Sequence, residues 1–278
     1  MKANNLTISI PLRRGGPRCD KNCPYCISLM TPQVEFNYDL FFHNLEKAKY
    51  MANTCSVISV LLTSKGEPCL NFHQLVQAAM AFSDFPLELQ TNGIWLRNHP
   101  TALQELKAIG VDTIAFSIDG LYQVNELMPI TKKIRELGMT TRVCFNVTGK
   151  IKEIGFRLFI ASMIGFYIDQ ILIRQITIPD NILSTDESIN TQKWIQENTN
   201  PDIYTGWYNE FMDLVTEKDL VRTLPHGAQV YDIDGFAVSF SDYCIQESNN
   251  TEDIRSLIYL EDGHLYTSWD KIPSSRLF

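Results

Sequence analysis

The sequence predicts an α/β fold on the scale of one barrel with a small C-terminal α+β extension. Three observations carry this expectation. Strand-like apolar runs alternate with helix-length amphipathic stretches from the N-terminus to about Thr177. Each strand-like run ends in polar residues or glycine. A length of 278 residues, 45% of them apolar, suits one principal core plus an addition.

The first strand is read at Leu6 to Ile10, followed by a long polar loop from Arg13 to Met30 and a helix through Asp39 to Met51. Val57 to Leu62 forms the second strand, with Thr63-Ser64-Lys65-Gly66-Glu67-Pro68 at its end and a helix through Leu75 to Phe82 behind it. Leu87 to Thr91, closed by Asn92-Gly93, is the third, and Ala102 to Ile109 the next helix, stopped by Gly110. Thr113 to Ile118, ended by Asp119-Gly120, is the fourth and Thr141 to Thr148 the fifth. Phe156 to Met163 reads as helix and Ile168 to Ile176 as the sixth strand. Beyond Pro179 the pattern changes: Ser184 to Tyr204 is polar and loop-rich, and Trp207 to Lys218 reads as one amphipathic helix. Two hairpins follow, around Asp234-Gly235 and Asp262-Gly263. The expected division is therefore a core over 1–180 and an extension over 181–278 that closes part of the barrel and contacts substrate.

A net charge of -8 disfavours non-specific binding to nucleic acid or anionic membrane. Met1 to Leu12 lacks the apolar stretch of a signal peptide, and no apolar run reaches the roughly eighteen residues that span a bilayer. A cytoplasmic protein without membrane partners is expected. Seven cysteines, three of them within Cys19 to Cys26, do not make a disulfide framework.

Cys19, Cys23 and Cys26 stand at C-x3-C-x2-C spacing, which a chain of this length and cysteine content shows by chance at roughly 0.4%. Three close thiolates can hold three irons of a cubane, leaving the fourth open to an exogenous chelator. The competing reading is a non-catalytic zinc module using these cysteines and a distant histidine such as His43.

On this loop the sequence resembles the radical S-adenosylmethionine (SAM) superfamily, in which an aromatic residue precedes the last cysteine, as Tyr25 does here. The resemblance implies a partial (β/α)6 TIM-like barrel, one [4Fe-4S] cluster on the three cysteines, SAM on the open iron, and a 5'-deoxyadenosyl radical that takes a substrate hydrogen. It extends to the family's Gly-Gly-Glu-Pro turn, which reads Lys65-Gly66-Glu67-Pro68 here with lysine in place of the first glycine. It continues through Thr91-Asn92-Gly93 and Ser117-Ile118-Asp119-Gly120. Tyr25, Gly66, Glu67, Ser117, Asp119, Asn146 and Arg174 are thereby candidates for contacts to SAM. Period-two alternation puts Ser117 with Asp119, and Arg142 with Cys144 and Asn146, on single faces.

Cys55 and Cys69 read as small hydrophobes. Cys144, on a lumen-facing position, and Cys244, after the first tail hairpin, are the candidates to return a hydrogen atom to a substrate radical, with Cys244 placed first. Asp262 to Ser268 resembles the auxiliary-cluster hairpin of some relatives without its cysteine, so a single cluster is expected. Modification of a peptide or a small polar metabolite, with electrons from an external donor such as a flavodoxin or ferredoxin, is the leading expectation. An activase for a glycyl-radical enzyme is the alternative.

Overall fold

The computed structural model describes residues 2–12, 15–151, 154–180, 182–224, 228–241, 253–269 and 275–278. Six strands, β1 (Lys2–Ser9), β2 (Ser59–Thr63), β3 (Leu87–Thr91), β4 (Val111–Ile118), β5 (Thr140–Val147) and β6 (Gln170–Gln175), lie side by side in chain order and run parallel. Helices connect them: α1 (Ile27–Met30), α2 (Tyr38–His43) and α3 (Leu45–Thr54) after β1, and α4 (Phe72–Ala81) after β2. Next come α5 (Ile94–Asn98) and α6 (Ala102–Ala108) after β3, α7 (Leu121–Glu136) after β4, and α8 (Phe156–Met163) after β5. The parallel sense puts the C-terminal tips of all six strands at one mouth, where barrels of this type carry their chemistry.

Alternation along the strands sorts residues between two environments. Leu6, Ile8, Phe116, Phe145, Ile171 and Ile173 are fully or almost fully buried in one core with the helices. Each such side chain contributes about 1.5–3 kcal/mol. The opposite face is polar. Glu88 of β3 is ion-paired to Arg142 of β5, and Arg142 Nε and Nη2 donate to Gln170 Oε1 of β6 at 2.8 and 2.6 Å. Burial alone would make these groups costly, but pairing across three strands satisfies them and ties the sheet's concave side together.

The remaining elements are α9 (Asp186–Asn198), α10 (Pro201–Leu214), β7 (Leu220–Thr223), β8 (Gln229–Ile233), β9 (Phe236–Ser241), β10 (Asp253–Tyr259) and β11 (Leu265–Tyr266). Their strands extend the same sheet at both edges, in the order β11-β10-β1-β2-β3-β4-β5-β6-β9-β8-β7. β10 runs parallel to β1 and β9 parallel to β6, each with its hairpin partner outside it. The two ends of the sheet do not pair with each other among the described residues, so the barrel is partial and open. The β8–β9 turn has the two positive backbone angles, 52° at Asp234 and 86° at Gly235, that a two-residue hairpin loop demands.

Four local expectations are corrected. The helix expected over Asp39 to Met51 is two, α2 and α3, broken at Asn44, whose Nδ2 donates to Gly263 O at 2.8 Å. No helix is marked by pattern between the fourth and fifth strands, yet α7 fills that span with Pro129 inside it. The segment from Ser184 to Tyr204 is mostly helical rather than loop, with Thr185 capping α9 and Asn200 capping α10. The helix expected over Trp207 to Lys218 is α10, which starts earlier at Pro201, a residue whose fixed φ suits a first helical turn, and ends at Leu214.

Candidate active site

The cysteines occupy the loop between β1 and α1. Cys26 N donates to Cys23 O at 3.2 Å and Leu29 N to Cys26 O at 3.0 Å, so the last two cysteines lie in a tight turn leading into α1. Cys19, Cys23 and Cys26 are free thiols of intermediate exposure, reachable yet shielded. Burial pushes the Cys19 thiol up, and pushes Cys23 up to about 11, with Lys21 opposing the shift at Cys23. A thiolate ligand must give up that proton on binding metal, so loading the site releases protons.

Three strand tips hold this loop. Gly66 is pressed against its entry: a Cβ there would lie 2.0 Å from Arg18 O and 2.9 Å from the Arg18 carbonyl carbon. Glu67 N donates to the same Arg18 O at 3.0 Å. From β3, Asn92 Nδ2 donates to Cys19 Sγ at 3.4 Å and to Asp20 Oδ1 at 2.7 Å. From β4, Asp119 is ion-paired with Lys21 at 3.4 Å. The buried Tyr25 hydroxyl lies near Asp119 and Asn146 without a hydrogen bond of ordinary geometry to either, and its burial pushes the phenol well above its usual range.

Glu67 is only 2% exposed and organises the two neighbouring tips. Its Oε1 accepts from Cys69 N at 3.1 Å and Thr91 Oγ1 at 2.7 Å, and its Oε2 accepts from Asn92 N at 2.8 Å. Burial raises its pKa in spite of these donors. A raised folded value means the native state holds the proton more tightly than the unfolded chain. The contribution of Glu67 to stability is therefore fully present below about 4.3 and lost as pH rises through the folded value. Relative to Glu67→Gln, the wild type loses stability as pH is raised from 4.5 to 7, which urea midpoints of the two proteins measure. Glu67→Ala strands two backbone donors at about 1–3 kcal/mol each, lowering stability by about 4 kcal/mol at neutral pH.

The other candidates share the concave face at different depths. Asn146 and Arg174 are paired in register, and Arg174 in turn with Ser241 of β9. Ser117 sits one layer deeper, opposite Cys144. Both layers face inward, because Ile118, Phe145 and Ile173 between them point into the helix-packed core. Cys244 lies outside the described residues. Cys55 and Cys69 are buried in the core, as small hydrophobes would be.

The sequence reading left out two contributors. Asn92 touches Cys19 directly, and the Thr-Asn-Gly strand end already marked it. α9 had no such signal: Trp194 sits with its ring centroid 5.5 Å from that of Tyr25, and Ile195 packs with Tyr25, Met30 and Ile176 beside Cys23. Leu183 N also donates to Met30 O at 2.8 Å. α9 thus roofs the cysteine turn. Trp194→Ala removes an aromatic contact of about 0.5–1.5 kcal/mol and speeds hydrogen exchange at the cysteine turn by about threefold to tenfold.

A parallel open barrel with three free thiols on one loop at its mouth defines the class of protein. Family comparison makes it specific: the model described as "Radical SAM superfamily" matches residues 15–172, more than half of the chain, and the chain belongs to that superfamily. The zinc-module reading is thereby displaced. Among solved structures, Streptococcus suis SuiB bound to precursor peptide SuiA is similar with a TM-score of 0.61 at 13% identity, covering 96% of this chain and 59% of that one. SuiB bound to S-adenosylmethionine gives 0.59 at 12% identity, covering 99% and 63%. The chain thus spans less than two thirds of SuiB, and at this identity the likeness shows the fold. None of the curated protein sequences compared with the chain matches it. Among the described residues no helix is long and apolar enough to cross a membrane.

Proposed function

We propose that the protein reductively cleaves SAM at a single [4Fe-4S] cluster held by Cys19, Cys23 and Cys26 and abstracts a hydrogen atom from a peptide. The observation that carries this is the C-x3-C-x2-C loop at the tip of the first strand of a radical SAM barrel, with all three thiols free. The donor set fits the group, since three thiolates leave one iron for an exogenous chelator. A reduced cluster held by these thiolates would supply the one electron that reductive cleavage of SAM to methionine and a 5'-deoxyadenosyl radical requires.

The chain's own residues supply the setting. Asn92 donates toward the Cys19 sulfur and Lys21 places positive charge by Cys23, both of which stabilise thiolates. Asn146, Asp119 and Arg174 offer polar contacts along the β4–β6 tips for the amino-acid and ribose groups of SAM, with Ser117 below them. Glu67 ties the β2 and β3 tips together beside the cysteine loop. α9 and Tyr25 keep bulk water from the cysteine turn. The electron comes from an external one-electron donor such as a flavodoxin or ferredoxin, since reductive cleavage consumes one electron that thiolate ligands do not supply. Peptide is placed ahead of a small metabolite because SuiB, whose fold this chain shares, binds a precursor peptide.

Anaerobic reconstitution followed by iron and sulfide analysis tests the proposal. About four of each per chain are expected, with brown colour. A colourless protein that holds zinc instead would overturn it.

A further inference from the structure

The hairpin around Asp262-Gly263 resembles one that carries an auxiliary cluster in some relatives, yet it has no cysteine. Its surroundings give it a different task. The turn from Leu260 to His264 sits against the stretch of chain that returns from the cysteines toward α2 and α3, at successive points. Val34 packs on Ile258, Leu260 and Tyr266. Asn37 N donates to Glu261 O at 3.1 Å, and Asn44 Nδ2 to Gly263 O at 2.8 Å. Tyr259 Oη donates to Phe41 O, and the two rings lie 5.1 Å apart.

Gly263 makes this approach possible. Its φ is 76°, and a Cβ there would lie 2.6 Å from Leu40 C and 2.7 Å from Phe41 N, both backbone atoms. Any side chain would push the turn off α2.

A pair of buried charged residues lies at the centre of the contact. Glu261 is 4% exposed; its Oε1 accepts from Ser9 Oγ of β1 at 2.6 Å, and its Oε2 has no hydrogen-bond partner among the described residues. Lys65, also buried, stands where the family turn has glycine; its ammonium donates to Pro32 O in the returning arm, and its positive charge opposes the upward push that burial gives the Glu261 carboxyl. A buried carboxylate is tolerated when an opposite charge faces it. The lysine that departs from the family motif thus holds the returning arm at Pro32, and its charge offsets part of the cost of burying the glutamate in the tail.

We propose that the turn between β10 and β11 is a clamp that positions the returning arm of the cysteine loop, residues 32–44, and that Lys65 and Glu261 pin it. They are positioning residues, acting on the metal site through the loop and not by contact with it. The inference rests on the proposed function only for what the loop carries; the clamp itself is a statement about this chain.

Hydrogen exchange read by mass spectrometry on the full chain, as isolated and after anaerobic reconstitution, tests it with Lys65→Met, Glu261→Gln, the double variant and Gly263→Ala. Exchange within residues 32–44 rises at least about tenfold in Gly263→Ala and Lys65→Met, while peptides from β3, β4 and β5 stay within about twofold of wild type. The double variant lies closer to wild type than Lys65→Met does, because it no longer buries an unopposed carboxylate. Iron release to a chelator from the reconstituted proteins follows the same ranking. Unchanged exchange in 32–44, a uniform rise along the whole chain, or a double variant no better than Lys65→Met would each overturn the clamp. Failure of the wild type to take up iron would sink the proposed function, whereas the exchange contrast in the protein as isolated would still decide the clamp.

Discussion

Replacing any one of Cys19, Cys23 or Cys26 by alanine abolishes formation of 5'-deoxyadenosine from SAM and lowers iron content after reconstitution. Substituting a residue that merely orients a metal ligand costs about 10–100-fold, so removal of a ligand costs more. The three losses are expected to be equivalent, because the proposed cluster would take one ligand from each of the three thiols and the loop holds no fourth cysteine. The fold survives: all three thiols sit in a loop outside the main helix-packed core, so far-UV circular dichroism of the variants matches wild type. Undiminished 5'-deoxyadenosine from all three variants would show that the loop is not the metal site.

Gly66→Ala is expected to be nearly as damaging, although Gly66 contributes no side chain. Its Cα hydrogens face the carbonyl of Arg18, the residue before the first cysteine, and an added methyl would sit 2.0 Å from that oxygen. The obstacle is backbone on both sides, so no rotamer change relieves it. Relief comes only by moving the entry to the cysteine loop away from β2, which breaks the Glu67 N to Arg18 O hydrogen bond and draws Cys19 from Asn92. Iron retention falls at least about tenfold with the strand content intact. Full iron loading in Gly66→Ala would mean that the turn after β2 does not brace the loop.

Much of the site was legible because its residues lie close to glycines and strand ends that announce themselves. β3 and α8 fall at the expected bounds, and the inward set of Ser117, Asp119, Asn146 and Arg174 follows from alternation once the strands are placed. α7 was missed although its buried face, Val124, Leu127, Ile130 and Ile134, keeps helical spacing in the sequence; Pro129 within that run reads as a helix breaker, and the tertiary core overrides it. α9 was missed for a different reason: apart from Ile195, its buried positions include Ser188 and Thr191, so it carries little apolar stripe. Its helicity depends on a threonine cap and on a surface, Tyr25 and Met30, more than 150 residues away in sequence. The pairing of β10 with β1 and of β9 with β6 is similarly non-local, and no short-range pattern encodes which edge a tail strand joins. Lys65 shows the same limit in reverse. As a sequence it looked like a departure from a motif, and only the fold brings its ammonium to Pro32 O and its charge to bear on Glu261.

The most direct test of the account is to reduce the anaerobically reconstituted wild type in the presence of SAM and quantify methionine and 5'-deoxyadenosine. Equal amounts of the two are expected, dependent on reductant and absent from Cys23→Ala; a protein replete in iron and sulfide that leaves SAM intact would contradict it.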